Sequence, residues 1–202
     1  RVRKMCQDDS HIFLAPEDIG EEVEKLIDFI HYVYSTFGFE YSVELSTKPE
    51  KAMGDPELWE KAERSLQDAL MKKSVKFSLN PGDGAFYGPK IDIHIKDSLG
   101  RKWQCATIQL DMQMPKRFEL TYIAEDGKEH TPLVIHRAIF GSLERFMGVL
   151  LEHTNGNLPL WLSPRQVRVI NLTDRNKKAA ERFVAELKAE ISNIRVDFDF
   201  TS

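Results

Sequence analysis

Near its first residue the chain carries a polar stretch, Gln7-Asp8-Asp9-Ser10-His11-Ile12-Phe13. Its composition predicts a strand, and side chains of a strand alternate between the two faces of a sheet. Gln7, Asp9 and His11 then share one face at a spacing of about 6.5–7 Å. The opposite face receives Asp8, Ser10 and Ile12. An amide, a carboxylate and an imidazole in one row are unsuited to an apolar core, so this row predicts the floor of a pocket for a polar small molecule.

The bulk composition indicates a globular protein with one full domain and a second, smaller piece. The chain has 202 residues, of which 42% are hydrophobic and 30% are charged. Its formal net charge of -4 does not indicate a nucleic-acid binder, so an RNA partner must be inferred from other features. Two cysteines, no signal peptide and no long apolar run favour a cytoplasmic protein without a membrane partner. Because the first residue is Arg and both ends read as strands, we expect a fragment of a longer protein.

Stretches with helical spacing alternate with strand-like stretches, which predicts an α+β fold. Pro16, Asp55-Pro56 and Ser142 mark the starts of three helices, and Gly38 ends the first of them. The predicted strands cover residues 41–45, 75–79, 91–96, 103–111, 118–123 and 133–136. Short turns such as Asp83-Gly84 and Asp126-Gly127 connect the later strands, so we expect a mainly antiparallel sheet flanked by helices.

A linker-like segment with Pro159 and Pro164 separates this sheet from the end of the chain. Residues 167–170 and 194–200 read as strands with a helix between them, which predicts a partial α/β unit of β-α-β type. We therefore expect a first domain over residues 1–157, a linker over 158–165 and a second, incomplete domain over 166–202.

Two of the six histidines lie where strands end near the predicted pocket. His11 completes the polar row, and His136 ends a short strand just before a helix. Imidazoles from two strands could share a metal such as zinc, although an isolated histidine is more often a satisfied polar residue. Cys6 is a tempting third ligand, but in a regular strand it faces away from His11. Catalytic zinc needs three protein ligands, so a third would have to come from before residue 1.

Other candidate residues keep two interpretations each at this point. The helix that starts at Ser142 presents free N–H groups, and Arg145 could add a grip on phosphate, but a capped helix with a surface arginine explains the pattern equally well. Tyr87 could line the pocket or simply pack. Gln104 and Gln109 lie on one strand at opposite parity, so they share a pocket only if a bulge falls between them.

The sequence does not indicate chemistry by a nucleophilic side chain. No nucleophile–base pair stands out, and Cys105 sits within an apolar strand without an evident activating base. A Walker loop and a dinucleotide-binding fingerprint are also absent from the sequence.

Several ordered motifs give the chain a resemblance to class II aminoacyl-tRNA synthetases. Arg1-Val2-Arg3, followed by the polar stretch of residues 7–13, resembles the end of motif 2 of that family. Gly141-Ser142-Leu143-Glu144-Arg145-Phe146 resembles motif 3. The resemblance therefore implies an incomplete class II catalytic core that runs from late motif 2 through motif 3.

Four further stretches resemble the threonyl-tRNA synthetase family in particular. Three of them lie between the two motifs or just before the second: Gly84-Ala85-Phe86-Tyr87-Gly88-Pro89-Lys90-Ile91-Asp92, Gln104-Cys105-Ala106-Thr107-Ile108-Gln109-Leu110-Asp111 and His136-Arg137-Ala138-Ile139. The fourth, Trp161-Leu162-Ser163-Pro164-Arg165-Gln166-Val167, resembles the entry to that family's anticodon-binding domain.

The resemblance implies roles for individual residues. His11 and His136 match two of three zinc ligands, the third being a cysteine upstream of residue 1. The residues that match threonine contacts are Asp9, Tyr87 and Gln109. The catalytic set corresponds to Arg1, Gln7 and Arg145, and the ATP contacts to Arg1, Gln104, Ser142 and Arg145. A zinc ion that binds the threonine hydroxyl would reject valine. Valine has the same shape but no hydroxyl, so it leaves the site unsatisfied.

The implied activity is that of a threonine–tRNA ligase, which forms threonyl-adenylate from L-threonine and ATP with Mg²⁺ and transfers threonine to tRNA(Thr). The full-length protein is expected to be a homodimer. The fragment alone is expected to be inactive, because motif 1, the main motif 2 arginine and the zinc cysteine are missing.

Two alternatives remain open. The chain could belong to a non-catalytic, synthetase-like paralogue that binds an amino acid or RNA, for which Met5 in place of the family's usual aromatic residue is the only hint. It could also belong to a related class II ligase such as the prolyl enzyme, but a proline site needs no zinc and does not explain the histidine pair.

Overall fold

A six-stranded sheet forms the centre of the first of two structural units. The computed structural model describes residues 3–199 and divides into Arg1–His153 and Thr154–Ser202. The strands of the sheet are β1 (Ser10–Leu14), β2 (Tyr41–Ser46), β3 (Phe77–Asn80), β4 (Lys90–Lys96), β5 (Lys102–Asp111) and β8 (Leu133–Ala138). A small hairpin of β6 (Tyr122–Ile123) and β7 (Glu129–His130) lies apart from it. The helices of this unit are α1 (Ile19–Phe37), α2 (Pro56–Lys72), α3 (Met114–Arg117) and α4 (Leu143–His153).

The strand order is β1-β8-β5-β4-β2-β3, and every neighbouring pair is antiparallel except the parallel pair β2–β3. The predicted α+β fold with a mainly antiparallel sheet is therefore confirmed. None of the described helices is both long and apolar enough to cross a membrane.

The sheet has one apolar and one polar face, as the alternating sequence of β4 predicts. Ile27 of α1 and Leu70 of α2 lie against Ile91 and Ile93, which are almost fully buried. Removing such side chains from water contributes about 1.5–3 kcal/mol for each residue. The two helices therefore cover one face, and the polar residues of the same strands are left on the other.

Local sequence explains where these helices begin and end. The Asp55 carboxylate accepts the N–H of Glu57 at 2.9 Å, and Pro56 occupies the first turn of α2. Gly38 ends α1 with a φ of 74°, a left-handed conformation that glycine adopts without strain.

The predicted strand over residues 118–123 is wrong for most of its length. Phe118 follows the short helix α3, and only Tyr122–Ile123 pairs, with β7, around a turn at Gly127. Pro115 favours the first turn of a helix, and the Asp111 carboxylate accepts the N–H groups of Gln113 and Met114 at 2.9 Å each. The chain therefore turns into a helix directly after β5.

A bulge in β5 places its two glutamines, Gln104 and Gln109, on the same face of the sheet. Ile93 pairs with Ala106 whereas His94 pairs with Gln104, so Cys105 is an extra residue with no partner in β4. The bulge that a shared pocket would require is thus present, and Gln104 lies on the same face as Gln109.

The second unit has the predicted β-α-β arrangement. Strands β9 (Val167–Ile170) and β10 (Val196–Asp199) pair in parallel, and helix α5 (Lys177–Glu190) lies between them in sequence. Single-turn 3-10 helices occur at Pro16–Asp18 in the first unit and Asp174–Asn176 in the second. Several apolar side chains of the second unit are exposed: Ile170, Leu172, Phe183 and Ile191.

The turn between β4 and β5 depends on the buried carboxylate of Asp97. It accepts the backbone N–H groups of Leu99 at 3.0 Å and Arg101 at 2.8 Å, and it also accepts side-chain N–H groups of Arg101 and Trp103. Although burial would raise the pKa of Asp97, these hydrogen bonds lower it to about 2. The carboxylate is therefore ionised throughout the neutral range.

This lowered pKa predicts a pH-dependent contribution to stability. The contribution of Asp97 is complete above the unfolded-state pKa, about 3.9, and is lost as the pH falls toward about 2. We expect Asp97→Asn to lower the free energy of unfolding at pH 7, and the difference from the wild type to shrink below pH 4. Urea unfolding followed by circular dichroism measures this. Ser98→Ala, in the same turn but without a titratable group, should show no such trend, and an Asp97→Asn difference that is constant down to pH 2.5 would contradict the account.

Candidate functional site

The register of three strands brings His11, His136 and Gln109 into one row across the polar face. His11 pairs with His136 between β1 and β8, and His136 pairs with Gln109 between β8 and β5. The two imidazole rings contact edge to face with their centroids 4.6 Å apart. The structure thus brings together the two histidines that the sequence singled out.

The His136 ring is held in place by Asp111, which the sequence reasoning did not select. Nε2 of His136 donates to Oδ2 of Asp111 at 2.9 Å, and Oδ1 accepts the two backbone N–H groups that begin α3. Asp111 is only 1% exposed. Although burial would raise its pKa, the hydrogen bonds from His136 and the backbone lower it, so a carboxylate faces the ring. Strand alternation along β5 could have identified Asp111, because it lies two residues beyond Gln109 and therefore on the same face.

Tyr87 reaches the same row from the loop before β4. Its hydroxyl donates to Oε1 of Gln109, and its ring centroid lies 5.3 Å from that of His136. Burial raises the pKa of Tyr87, and the charges of Asp111 and Asp9 raise it further, so the phenol remains a neutral donor. The neighbouring Gly88 allows this approach, since a Cβ there would lie 1.7 Å from the carbonyl oxygen of Leu110.

Polar side chains continue from Gln109 to the buried carboxylate of Asp92. Nε2 of Gln109 donates to Thr107 at 3.3 Å, and Thr107 donates to Asp92 at 3.1 Å. Asp92 also accepts bonds from Lys90, at 2.7 Å, and from Ser46 and Gln104. The strand pattern indicated that Asp92 lies on the polar face, but it did not show that these partners converge on it.

Lys90 is the cation of this network. Burial disfavours its charge, but hydrogen bonds to Asp92 and Asp83 outweigh burial and raise the pKa of its amino group. The floor of the site therefore contains a fixed positive charge beside a buried carboxylate.

The start of α4 lies next to the segment before β1. Gln7 forms a single bridge with Ser142, and the Cys6 carbonyl accepts the N–H of Leu143 at 2.9 Å. The Glu144 carboxylate accepts the N–H of Cys6 and, at 2.9 Å, the hydroxyl of Ser142. Two segments that are far apart in sequence therefore meet at the N-terminus of α4.

Arg145 extends from this helix terminus toward β5. One of its guanidinium N–H groups donates to the carbonyl of Gln104 at 3.3 Å, and its own backbone N–H donates to the Ser142 hydroxyl at 3.4 Å. Gln7, Ser142, Arg145 and Gln104 thus form a polar group around the N-terminus of α4. Arg1, the remaining predicted site residue, lies outside the described residues.

Asp8 joins the two halves of this arrangement. Its carboxylate accepts three consecutive backbone N–H groups, from Ile139 at 2.8 Å, Phe140 at 3.0 Å and Gly141 at 3.1 Å. Gly141 is required there, because it has a φ of 66° and a Cβ would lie 2.6 Å from the Cys105 carbonyl oxygen. Asp8 faces away from the pocket, as the alternation of β1 predicts, but its long-range partners are not visible in the sequence.

The thiol of Cys105 is not an activated nucleophile. Burial raises the pKa of Cys105 to about 11, so its thiol is protonated at neutral pH. Cys6 is exposed, and its backbone contacts α4. Among residues 3–199, no cluster of three or more His, Cys, Asp or Glu side chains could hold a metal ion. A cavity of about 230 Å³, lined in part by His11, His136 and Asp111, opens beside the histidine pair.

Comparison with known proteins identifies the family. Residues 1–154 match the tRNA synthetase class II core domain (G, H, P, S and T). The chain belongs to the class II tRNA synthetase core family. The resemblance found in its motifs is therefore confirmed.

Similar proteins carry the name of one member of this family. The chain is 56% identical over its whole length to a threonine–tRNA ligase of Syntrophomonas wolfei and 55% identical over 98% of its length to one of Desulforamulus reducens. It spans 32% and 31% of those two proteins, respectively.

A solved structure supports the same grouping. The crystal structure of the RNA binding domain of threonyl-tRNA synthetase from Cryptosporidium parvum superimposes with a TM-score of 0.93 at 47% identity, covering 100% of this chain and 50% of that one.

The three hydrogen bonds of Asp8 lead to a stability prediction. Asp8→Ala leaves three backbone N–H groups without their acceptor, and hydrogen bonds to a charged group contribute about 1.5–3 kcal/mol each. We expect the free energy of unfolding to fall by about 2–4 kcal/mol. Asp9→Ala, the next residue on the opposite face, serves as the matched control and should cost less than about 1 kcal/mol. Equal losses for both variants in urea unfolding would contradict a stabilising role for the three hydrogen bonds of Asp8.

Proposed function

We propose that the chain is the C-terminal part of the catalytic core of a threonine–tRNA ligase, followed by the start of its anticodon-binding domain. The parent enzyme would activate L-threonine with ATP to threonyl-adenylate and transfer it to tRNA(Thr). The observation that carries the proposal is the convergence of His11 and His136 beside Tyr87 and Gln109. The ring centroids of the two histidines are 4.6 Å apart, and those of Tyr87 and His136 are 5.3 Å apart.

The histidine pair fits part of a zinc site. Neutral imidazoles are common zinc ligands, and a ligating histidine usually donates its other ring N–H to a carboxylate, as His136 does to Asp111. Zinc would be held by His11 and His136 together with a cysteine expected upstream of residue 1. When bound, it would supply a Lewis acid for the amino and hydroxyl groups of threonine.

Threonine would be held by residues around the same row. The exposed carboxylate of Asp9 suits the ammonium group, because the two carry opposite charges. Tyr87 stays neutral and fixes the amide of Gln109 by its hydrogen bond, so both polar groups have defined orientations. Valine has the shape of threonine but cannot satisfy these groups, which makes it a poor substrate.

ATP would be bound at the other end of the polar face. Ser142 lies at the N-terminus of α4, where the positive end of the helix dipole favours anions, and Arg145 adds a full positive charge. Gln104 lies beside Arg145, and Gln7, which bridges to Ser142, would contact the substrate near the reacting carboxylate. Arg1 completes the proposed set, and Mg²⁺ would accompany the nucleotide.

The reaction needs positioning and charge neutralisation more than a side-chain nucleophile. A carboxylate oxygen of threonine attacks the α-phosphorus in line, and the bond from that phosphorus to the pyrophosphate oxygen breaks. In this proposal Arg145 and the α4 terminus would neutralise phosphate charge during the reaction. The protonated thiol of Cys105 takes no part.

The remaining proposals concern the whole protein. We assign residues 1–157 to the catalytic core, 158–165 to a linker and 166–202 to the anticodon-binding domain. The full-length protein is proposed to be a cytoplasmic homodimer with tRNA(Thr) as its partner.

Amino-acid-dependent ATP–pyrophosphate exchange tests the function. In a full-length enzyme carrying this sequence we expect exchange with threonine, weaker exchange with serine, and exchange with valine lower by about 10⁴-fold, because a site built around a hydroxyl rejects an analogue that lacks it. Proline is the control for a related ligase. Valine within tenfold of threonine, or proline as the preferred amino acid, would overturn the proposal.

The chain of 202 residues by itself is expected to be inactive. In this proposal motif 1, the main motif 2 arginine and the zinc cysteine lie outside these 202 residues, so the isolated chain would bind neither ATP nor threonine fully. Aminoacylation of tRNA(Thr) by the isolated chain, compared with the full-length enzyme under the same conditions, measures this. Turnover near the full-length rate would refute the expectation.

A further inference from the structure

Trp103 lies next to Gln104 on β5 and is close to three charged side chains outside the threonine site, those of Asp97, Arg145 and Arg101. Its indole N–H donates to Oδ2 of Asp97 at 2.9 Å, and the Asp97 side chain is completely buried. Because Asp97 is also bonded to the backbone of the β4–β5 turn, the ring is fixed to a rigid part of the sheet. This hydrogen bond therefore restrains the orientation of the indole ring.

The Arg145 guanidinium lies over this ring. Its central carbon is 5.3 Å from the ring centroid, within the range of about 6 Å in which a cation is attracted to an aromatic face. The same guanidinium donates to the carbonyl of Gln104, the residue next to Trp103. Trp103 and Gln104, which are adjacent in β5, thus restrain the side chain of Arg145, which would otherwise sample many rotamers.

We propose that Trp103 is a positioning residue for Arg145, holding its guanidinium ready for the phosphates of ATP. The inference rests on the proposed function, since it takes Arg145 to be an ATP contact. Trp103 itself does not touch the reacting atoms in this account. It reduces the conformational freedom that Arg145 must lose when the nucleotide binds.

A second guanidinium near the same ring provides a matched control. The central carbon of Arg101 is 5.7 Å from the centroid, but Arg101 is bonded to Asp97 and lies 3.8 Å from Glu152 instead of reaching Gln104. Arg101→Gln removes a cation from the indole without altering the proposed ATP contact. Comparing variants of Arg145 and Arg101 therefore distinguishes a role in ATP binding from a general effect of a positive charge beside the ring.

The experiment measures KM for ATP and for threonine in ATP–pyrophosphate exchange by a full-length enzyme carrying this sequence. We expect Trp103→Leu to raise KM for ATP roughly 3- to 30-fold, the equivalent of a lost cation–π contact, with KM for threonine unchanged within about twofold. Trp103→Phe keeps an aromatic face and should restore most of the affinity. Arg101→Gln should leave both constants unchanged. Trp103→Met replaces the leucine variant if that protein does not fold.

A double-mutant cycle with Arg145→Gln decides whether Trp103 acts through Arg145. We expect Arg145→Gln to raise KM for ATP and Trp103→Leu to add nothing in that background. An undiminished effect of Trp103→Leu in the Arg145→Gln background, or no effect of it in the wild type, would overturn the inference while the proposed function stands. If Arg145→Gln itself leaves KM for ATP unchanged, the proposed ATP contact fails, and the inference fails with it.

Discussion

The acceptance of three consecutive backbone N–H groups by the Asp8 carboxylate is the constraint on which the site depends. It ties the segment before β1 to the residues between β8 and α4. With that tie in place, β1 pairs with β8 so that His11 faces His136, and Gln7 meets Ser142. A slip of one residue in this pairing would turn His11 to the other face of the sheet and separate the pair.

Buried aspartates recur around the site and divide it into parts. Asp111 orients His136 at the proposed threonine end, and Asp92 gathers Lys90, Gln104 and Thr107 on the floor. Each carboxylate is almost fully buried and hydrogen-bonded, which is the condition under which a buried charge is tolerated. These groups fix donors and cations before any substrate arrives, and such preorganisation suits a reaction that depends on positioning.

Local features were predictable from the sequence because their causes are local. Strand parity predicted that Gln104 and Gln109 share a pocket only if a bulge falls between them, and that bulge occurs at Cys105. Capping residues such as Asp55 and Gly38 marked helix ends correctly. Family resemblance then added roles that parity and capping alone could not assign.

The features that sequence reasoning missed depend on partners distant in the chain. The bonds of Asp8 span more than 130 residues, and that of Asp111 to His136 spans 25. In the sequence, an aspartate on a strand is the same whether water or a buried imidazole faces it. The residues around Asp92 and Asp111 therefore did not indicate their hydrogen-bond partners. The strand predicted over residues 118–123 is wrong for a related reason. The carboxylate of Asp111 begins a helix just before it, and the alternation of apolar residues gives no sign of that helix.

The central claim, that the β1–β8 register creates a zinc site from His11 and His136, is tested most directly by metal content. Zinc is measured by elemental analysis in a full-length protein carrying this sequence and in its His11→Ala and His136→Ala variants, with His31→Ala and His94→Ala as controls. The account predicts stoichiometric zinc in the wild type and both controls, and its loss from the two site variants. Retention of zinc by both site variants, or a wild type purified without zinc, would contradict it.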